Sequence, residues 1–524
     1  MRIALRLGAA AAATALGLTG LAAAQALPAA GSTASTARIR LVGIERNGRT
    51  TSVTATVYGM TYSPIFADGA AAVSVPAGPA WIAADVNTTG PQDAILSTTL
   101  VVRRVDITRS EKIDLDARPG KLVRFSLAAT GASDTGDSVQ VCVGGNFVGG
   151  FGMQAGGNAG TVYVVPVRAA ALDFGYASSW QGSAASYLIA GQSGDGVPSR
   201  PDYHIGLSSM ARVAFSFRTG EVVGGYRHAG IQSNDSCGLG GSLVPVGPAR
   251  TEYLSAGSWT ASAYGYRSFW QISNRLAAGH SYAVSFGAAA WGPSQFYPSV
   301  QGRQLVFFPM TVIADPAAQT GTECCDISSI SLSSGGRVIA HAVLSEWRAD
   351  RTFSAPLTRT AWYTLRVSAH RWVPGLPVPA DVLSPRDAIV WRFRAGPEAL
   401  TSIQLVPVTM TRFTPQGLNL ENQAAPGAST VLSVQVVPAR MAGFQPPPRY
   451  AVRTVTVEVS FNNGKTWQSV TVHGRGTSWQ ATVHDPVSGY VSLRSTVTDS
   501  AGDSTTETIY QAYAVGSAVL KGGA

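Results

Sequence analysis

The sequence predicts an all-β protein: a string of β-sandwich domains closed by a C-terminal immunoglobulin- or fibronectin-like sandwich. Three observations carry this expectation. Gly fills 57 of the 524 positions and Pro 29, the punctuation of many short strands joined by tight turns. Charged residues make up only 13%, about half the usual share, which leaves too little Glu and Lys for helical bundles or coiled coils. Hydrophobic residues reach 45%, enough for several cores, yet past the N-terminus no segment keeps an apolar stripe at the helical period.

The elements follow in chain order. Residues 1–26 carry Arg2 and Arg6, then an uncharged run rich in Ala and Leu from Leu7 to Ala24; Ala24-Gln25-Ala26 supplies a small-x-small cleavage pattern. A basic start, an apolar centre and small residues before a polar stretch read as a secretory signal peptide. A membrane anchor would need a longer span and a firm polar stop. The expected location is therefore extracellular, with no membrane anchor. Residues 27–37 form a small-residue linker. The first domain, 38–118, contains strand-like runs at 38–45, 51–58, 71–75 and 96–105. In Ser52-Val53-Thr54-Ala55-Thr56-Val57-Tyr58 polar and apolar residues alternate, as in a half-buried strand. A Gly-rich middle region, 119–325, has strands at 122–127, 161–167 and 211–217, with Gly149-Gly150-Phe151-Gly152 as a turn. A third domain, 326–437, has strands at 361–369, 388–394 and 430–437.

The clearest boundary is the linker 438–449, where Gln445-Pro446-Pro447-Pro448 cannot lie inside a sheet ladder and reads as a stiff spacer. Beyond it, 450–516 holds strands at 452–461, 466–472, 479–483, 490–498 and 505–513. Asn462-Asn463-Gly464-Lys465 is a hairpin signal, and Asp499-Ser500-Ala501-Gly502-Asp503 is a second turn. Short strands at regular turn spacing indicate a sandwich.

The four cysteines are Cys142, Cys237, Cys324 and Cys325. In an exported chain pairing is the default. A bridge between the adjacent Cys324 and Cys325 would strain the peptide between them, so the expectation is one bridge from each of them to Cys142 and Cys237, in either order. A metal site is the weaker alternative, since no His stands at ligand spacing from any cysteine. The net charge of +9 is carried mostly by Arg and is scattered. Arg103-Arg104 is an isolated pair, nothing resembles a nucleic-acid arm, and no nucleic-acid partner is expected.

Chemistry-bearing constellations are few. Asp134-Thr135-Gly136, His473-Gly474 and Gly476-Thr477-Ser478 occur in the order of a subtilisin triad. His473 and Ser478, however, share one polar turn, and Trp479 and a strand follow Ser478 where an oxyanion-stabilising helix would be required. No catalytic residue is assigned. Asp499 with Asp503, and Asp114 with Asp116, offer two carboxylates each, whereas Ca²⁺ needs six to eight oxygens. No metal ligand and no cofactor are assigned. The aromatics Trp259, Tyr264, Tyr266, Phe269, Trp270 and Trp291 cluster in the middle region. They either fill the core or form an exposed surface able to stack on sugar rings or a partner chain. Trp467 and Trp479 are expected in the core of the last domain.

Two segments are recognisable: Thr454-Val455-Thr456-Val457-Glu458-Val459-Ser460-Phe461-Asn462-Asn463-Gly464-Lys465-Thr466-Trp467 and Gly489-Tyr490-Val491-Ser492-Leu493-Arg494-Ser495-Thr496-Val497-Thr498-Asp499-Ser500-Ala501-Gly502. Together they resemble the C-terminal domain of large secreted subtilisin-like serine peptidases of actinobacteria. More loosely, Val73-Ser74-Val75-Pro76-Ala77-Gly78 followed by a strand resembles their carboxypeptidase-regulatory-like β-domain, and Ile113-Asp114-Leu115-Asp116-Ala117-Arg118 resembles its end. Arg250-Thr251-Glu252-Tyr253-Leu254 resembles a middle β-region. The resemblance covers the accessory half of those enzymes, without the peptidase domain. It implies a secreted, non-catalytic accessory or binding protein. The alternatives are a binder of cell wall or carbohydrate acting through exposed aromatics, and the remnant of a split peptidase working in trans. The expected partner is a cell-wall polymer or an extracellular protein.

Overall fold

The structure, a computed structural model, describes residues 36–516 apart from 52, 59–62, 68–71, 145, 155–160, 184, 221, 223–224, 236, 238–240, 245, 247–248, 266–267, 294–296, 310–312, 317–319, 324–325, 346–351, 372–376, 399–402 and 442–443. The expected signal peptide, Tyr266, Cys324 and Cys325 lie outside the described residues. Among those described, the chain is β-strand with two short 3-10 turns, Pro91–Asp93 and Leu207–Ser209, and no α-helix. The expected all-β class is what the chain adopts. Among the described residues no helix is long and apolar enough to cross a membrane.

Alternation explains the first unit. The strand Val53–Tyr58 buries Val53, Ala55 and Val57 and leaves Thr54 exposed. A four-stranded sheet centred on Thr36–Ile44 shares a core with the six-stranded sheet that contains Gly78–Thr89 and Ile95–Ile107. Those two long strands break alternation: Ile82, Ala83 and Ala84 are all buried, as are residues 97–102. Consecutive burial means both faces are covered. Ile82, Ala84 and Val86 point into the first core, while Ala83, Leu100 and Val102 join Val139, Val141, Leu172 and Phe174 of a seven-stranded sheet in a second.

That seven-stranded sheet corrects one reading. Gly149-Gly150-Phe151-Gly152 is not a turn but part of the strand Asn146–Gln154, antiparallel to Ser133–Val143. Gly permits turns without dictating them, and here the partner strand supplies the ladder. The cysteines give a second correction. Cys142, on Ser133–Val143, is bonded to Cys237, 95 residues away. The two cysteines expected to reach Cys324 and Cys325 therefore hold each other. The strand bearing Cys142 and the turn bearing Cys237 are brought together by packing between two sheets, which sequence separation does not disclose.

The largest core gathers Trp259, Trp270, Phe307, Trp391 and Phe393 from three sheets, with Trp291 from a segment between strands. One wall is the inner face of a nine-stranded sheet, ordered Arg337–Ser345, Asp326–Ser334, Ala361–Arg371, Arg386–Ala395, Ser504–Val515, Gly489–Asp499, Val452–Ser460, Gln468–Val470, with Gln423–Ala424 added beside Ser504–Val515. The expected boundary at 438–449 is thus crossed by hydrogen bonds: Arg386–Ala395 pairs with Ser504–Val515, and Ser429–Pro438 pairs with Ser478–His484. The terminal sandwich packs Val457, Leu493 and Ile509 against Phe413, Leu432 and Val434, so strands from both sides of the proline segment build it. The hairpin at Asn462–Lys465 forms as its Asn-Gly predicts, with Asn463 at φ 58° and Gly464 at φ 82°.

Candidate functional site

The inward residues of the nine-stranded sheet are mostly apolar, with buried acids, hydroxyls and Arg371 among them; the outward ones are mainly Ser, Thr and small residues, with arginines set between them. Register places Ser331, Arg366, Val390, Thr506, Thr496 and Thr456 in one row across six strands, and Ser329, Ser368, Ala388, Thr508, Arg494 and Glu458 in the next. Arg386 pairs across to His370 and Tyr510, and Arg394 to Trp362. Arg366, Arg386, Arg392 and Arg394 are exposed and Arg494 is half-buried. Of the acids on these strands, Glu458 shares that face, while Asp326, Asp387 and Glu507 are buried on the other.

Three of the guanidinium groups lie over rings: Arg386 3.8 Å from the Tyr510 centroid, Arg392 4.1 Å from Trp362 and Arg494 4.3 Å from Trp467. Such stacking leaves the N–H edges of arginine available to oxygen acceptors while it fixes the plane. Arg494 Nε also donates to Glu458 at 2.7 Å. Arg392 donates to the Gly502 carbonyl at 3.2 Å, which ties the Asp499–Asp503 turn to the sheet. Trp467 is therefore half-exposed under an arginine, contrary to its expected core place; Trp479 is partly buried against the terminal core, with its N–H on the Gly476 carbonyl.

At the rim of this face a cleft of about 370 Å³ opens. Trp362, Tyr450 and Pro448 supply apolar surface; Arg394, Glu398, Gln404 and Asp503 supply polar groups. Its wall is built by the proline segment, anchored where Leu405 N donates to the Gln445 carbonyl and Gln445 N to that of Ile403. The loop bearing Glu398 is held by the Glu398 amide on the Gly302 carbonyl at 2.7 Å. The Asp503 carboxylate accepts from the Arg394 amide at 3.1 Å; burial, with Asp499 beside it, pushes its pKa up to about 6.

The residues singled out by sequence sit as follows. Trp259, Trp270 and Trp291 are buried core side chains, Trp270 and Trp291 packed edge-to-face with centroids 5.0 Å apart; they are not a binding surface, because strand alternation turns them inward. Tyr264 and Phe269 face each other across a hairpin, partly exposed, with His228 stacked on Tyr264. Asp134 gives its carboxylate to the Gly136 amide in the seven-stranded sheet, while His473 opposes Gln480 and Ser478 opposes Arg475 in the terminal sandwich. The triad-like fragments are not brought together. Among the described residues three other Ser–His pairs exist, Ser126–His204 at 2.5 Å, Ser429–His484 at 3.0 Å and Ser329–His341 at 3.4 Å. Asp485, next to His484, gives its oxygens to the Thr430 and Tyr513 hydroxyls, and Asp202, near His204, faces Arg124. Asp114 and Asp116 pair with Lys112 and Arg118. Among the described residues no cluster of three His, Cys, Asp or Glu gathers to hold a metal.

Sequence reading missed Trp362, Tyr450 and the arginine rows. The outward positions of 361–371 and 386–395 could be read by parity, but the sheet that aligns them could not.

No family model matches the chain, and no curated protein does. A crystal structure of a mutant Salmonella alpha-2-macroglobulin is similar at 9% identity over 87% of this chain and 40% of that one, with a TM-score of 0.13. The chain thus spans less than half of that protein, and a likeness at that score carries no argument.

Proposed function

We propose that the protein is a secreted, non-catalytic accessory protein that holds an acidic extracellular polymer, of the cell-wall kind, on the outer face of its nine-stranded sheet. The observation that carries this is the set of outward arginines, Arg366 on one strand, Arg386, Arg392 and Arg394 on the next and Arg494 two strands further, with Glu458 the acid of these strands on that face. A flat surface of one sign attracts repeated opposite charge, and stacked guanidinium groups meet carboxylate or phosphate oxygens without a large ordering cost. Secretion is supported by the signal-like residues 1–26 and by the Cys142–Cys237 bridge, which suits an oxidising compartment. The accessory role beside a peptidase rests on the resemblance of 454–467 and 489–502.

Retention of the purified protein on immobilised polyglutamate tests the reading. The wild type is retained at low salt and the doubly charge-reversed Arg366→Glu/Arg386→Glu variant flows through. Equal retention of both removes the sheet face from the account.

A further inference from the structure

The rim cleft differs in chemistry from the charged face beside it. Its polar lining is of mixed sign: Arg394 with the Asp503 carboxylate on its backbone amide at 3.1 Å, together with Glu398 and Gln404. Phosphate or a second carboxylate would meet those acids, so the cleft does not repeat the anion preference of the sheet. Nor is it an apolar slot for a leucine or phenylalanine side chain, because arginine, carboxylate and amide groups would lose water without acquiring partners.

What satisfies both walls is a ring with an apolar face and a rim of hydroxyls. Tyr450, 42% exposed, offers a flat π surface, and Trp362, whose ring carries the Arg392 guanidinium 4.1 Å from its centroid, adds apolar lining. Each hydroxyl both donates and accepts, so it pairs equally with a carboxylate, a guanidinium or an amide. Planar groups such as these engage two neighbouring hydroxyls at once. The volume, about 370 Å³, lies near the lower end of small-ligand sites, roughly 300–1,000 Å³. The cleft is also preset: the Gln445 and Leu405 backbone bonds hold Pro448 and Tyr450, and the Glu398 amide bond holds the opposite lip. A preset site avoids much of the ordering cost of binding.

We infer that the cleft between Trp362, Tyr450, Arg394 and Glu398 is a saccharide-binding site that takes a neutral sugar unit of a glycan chain. The ligand stacks its C–H face on the exposed tyrosine ring and presents its hydroxyls to Arg394, Glu398 and Gln404. No residue of the cationic rows 366–390 is needed for it.

Calorimetric titration with neutral cello-, chito- and xylo-oligosaccharides tests this, using the full chain, Tyr450→Ala, Glu398→Gln and the Arg366→Glu/Arg386→Glu variant. Tyr450 and Glu398 are exposed, so neither substitution empties a core. The expected result is binding of at least one oligosaccharide, weakened about tenfold or more by Tyr450→Ala, as for a central aromatic contact. It is also weakened by Glu398→Gln and kept by the charge-reversed variant. Polyglutamate retention, measured in parallel, stays unchanged in Tyr450→Ala. The inference is overturned if no oligosaccharide titrates, or if Tyr450→Ala and Glu398→Gln bind as the wild type does. That outcome leaves the polyglutamate result, and with it the sheet-face reading, standing by itself.

Discussion

Single residues decide the properties of the sheet on both faces. Glu507 is fully buried, its Oε2 accepting from the Thr411 amide at 2.9 Å, and burial pushes its pKa up to about 8. Asp387, one strand away, is raised by burial and then by the nearby carboxylates of Asp326 and Glu507. A carboxyl with a folded pKa above its unfolded value keeps its proton in the native state. The native state then binds more protons than the unfolded one, and stability falls as pH rises between the two values. For Glu507 that window runs from its ordinary value of 4.5 to about 8. Glu507→Gln keeps the acceptor and removes the titration, so the variant melts higher than wild type at pH 8 and close to it at pH 4; an unchanged difference across that range contradicts the assignment. Gly396 is a second decisive position. A Cβ there would lie 2.9 Å from the Thr360 Cα and collide with its hydroxyl. Gly396→Ala is expected to cost about 1–3 kcal/mol, visible as a lower denaturation midpoint, and to narrow the rim cleft.

At the scale of elements, strands were legible and their partners were not. Periodicity and turn chemistry placed the strands Ala361–Arg371, Ser429–Pro438 and Gly489–Asp499 to within two residues, and Asn463-Gly464 closes the hairpin for the reason its sequence states. Nothing local in Arg386–Ala395 announces that its neighbour is Ser504–Val515. The ladder between them depends on the shape of two cores, and it joins the strand of Arg386, Arg392 and Arg394 to the strands of the terminal sandwich. The same limit hid the cleft: Tyr450 stands directly after what reads as a spacer, and Trp362 on a strand whose inward residues dominate the pattern. The disulfide shows it again. Cys142 and Cys237 meet because the strand Ser133–Val143 and the turn beyond Tyr226–Ser233 pack together, with Gln192 Oε1 accepting from the Cys237 amide at 3.2 Å. Closing a loop of 95 residues is worth nominally about 4–5 kcal/mol on the chain-entropy model, less any native strain. Non-reducing peptide mapping is therefore expected to yield the Cys142–Cys237 cross-link, and Cys142→Ser/Cys237→Ser to lower the thermal midpoint. Recovery of either cysteine linked to 324 or 325 would refute the connectivity.

For the whole molecule, the two-sided sheet is the organising fact. Its inner face closes the largest core and half of the terminal sandwich, which fixes the outer face as a rigid plane on which the basic side chains hold their spacing. Arg392 and Arg394, two residues apart on one strand, stand roughly 7 Å from each other, and the rows continue over neighbouring strands. Rigidity of this kind favours a repeating ligand over a single small ion, and the net charge of +9 adds long-range attraction of the same sign. The measurement that tests this account most directly is the salt dependence of binding to an acidic polymer, wild type against Arg366→Glu/Arg386→Glu. The account predicts wild-type affinity that falls steeply from low salt towards about 1 M, where screening acts within about 3 Å, and a variant that binds weakly at every concentration. Affinity independent of salt, or equal in the two proteins, would contradict it.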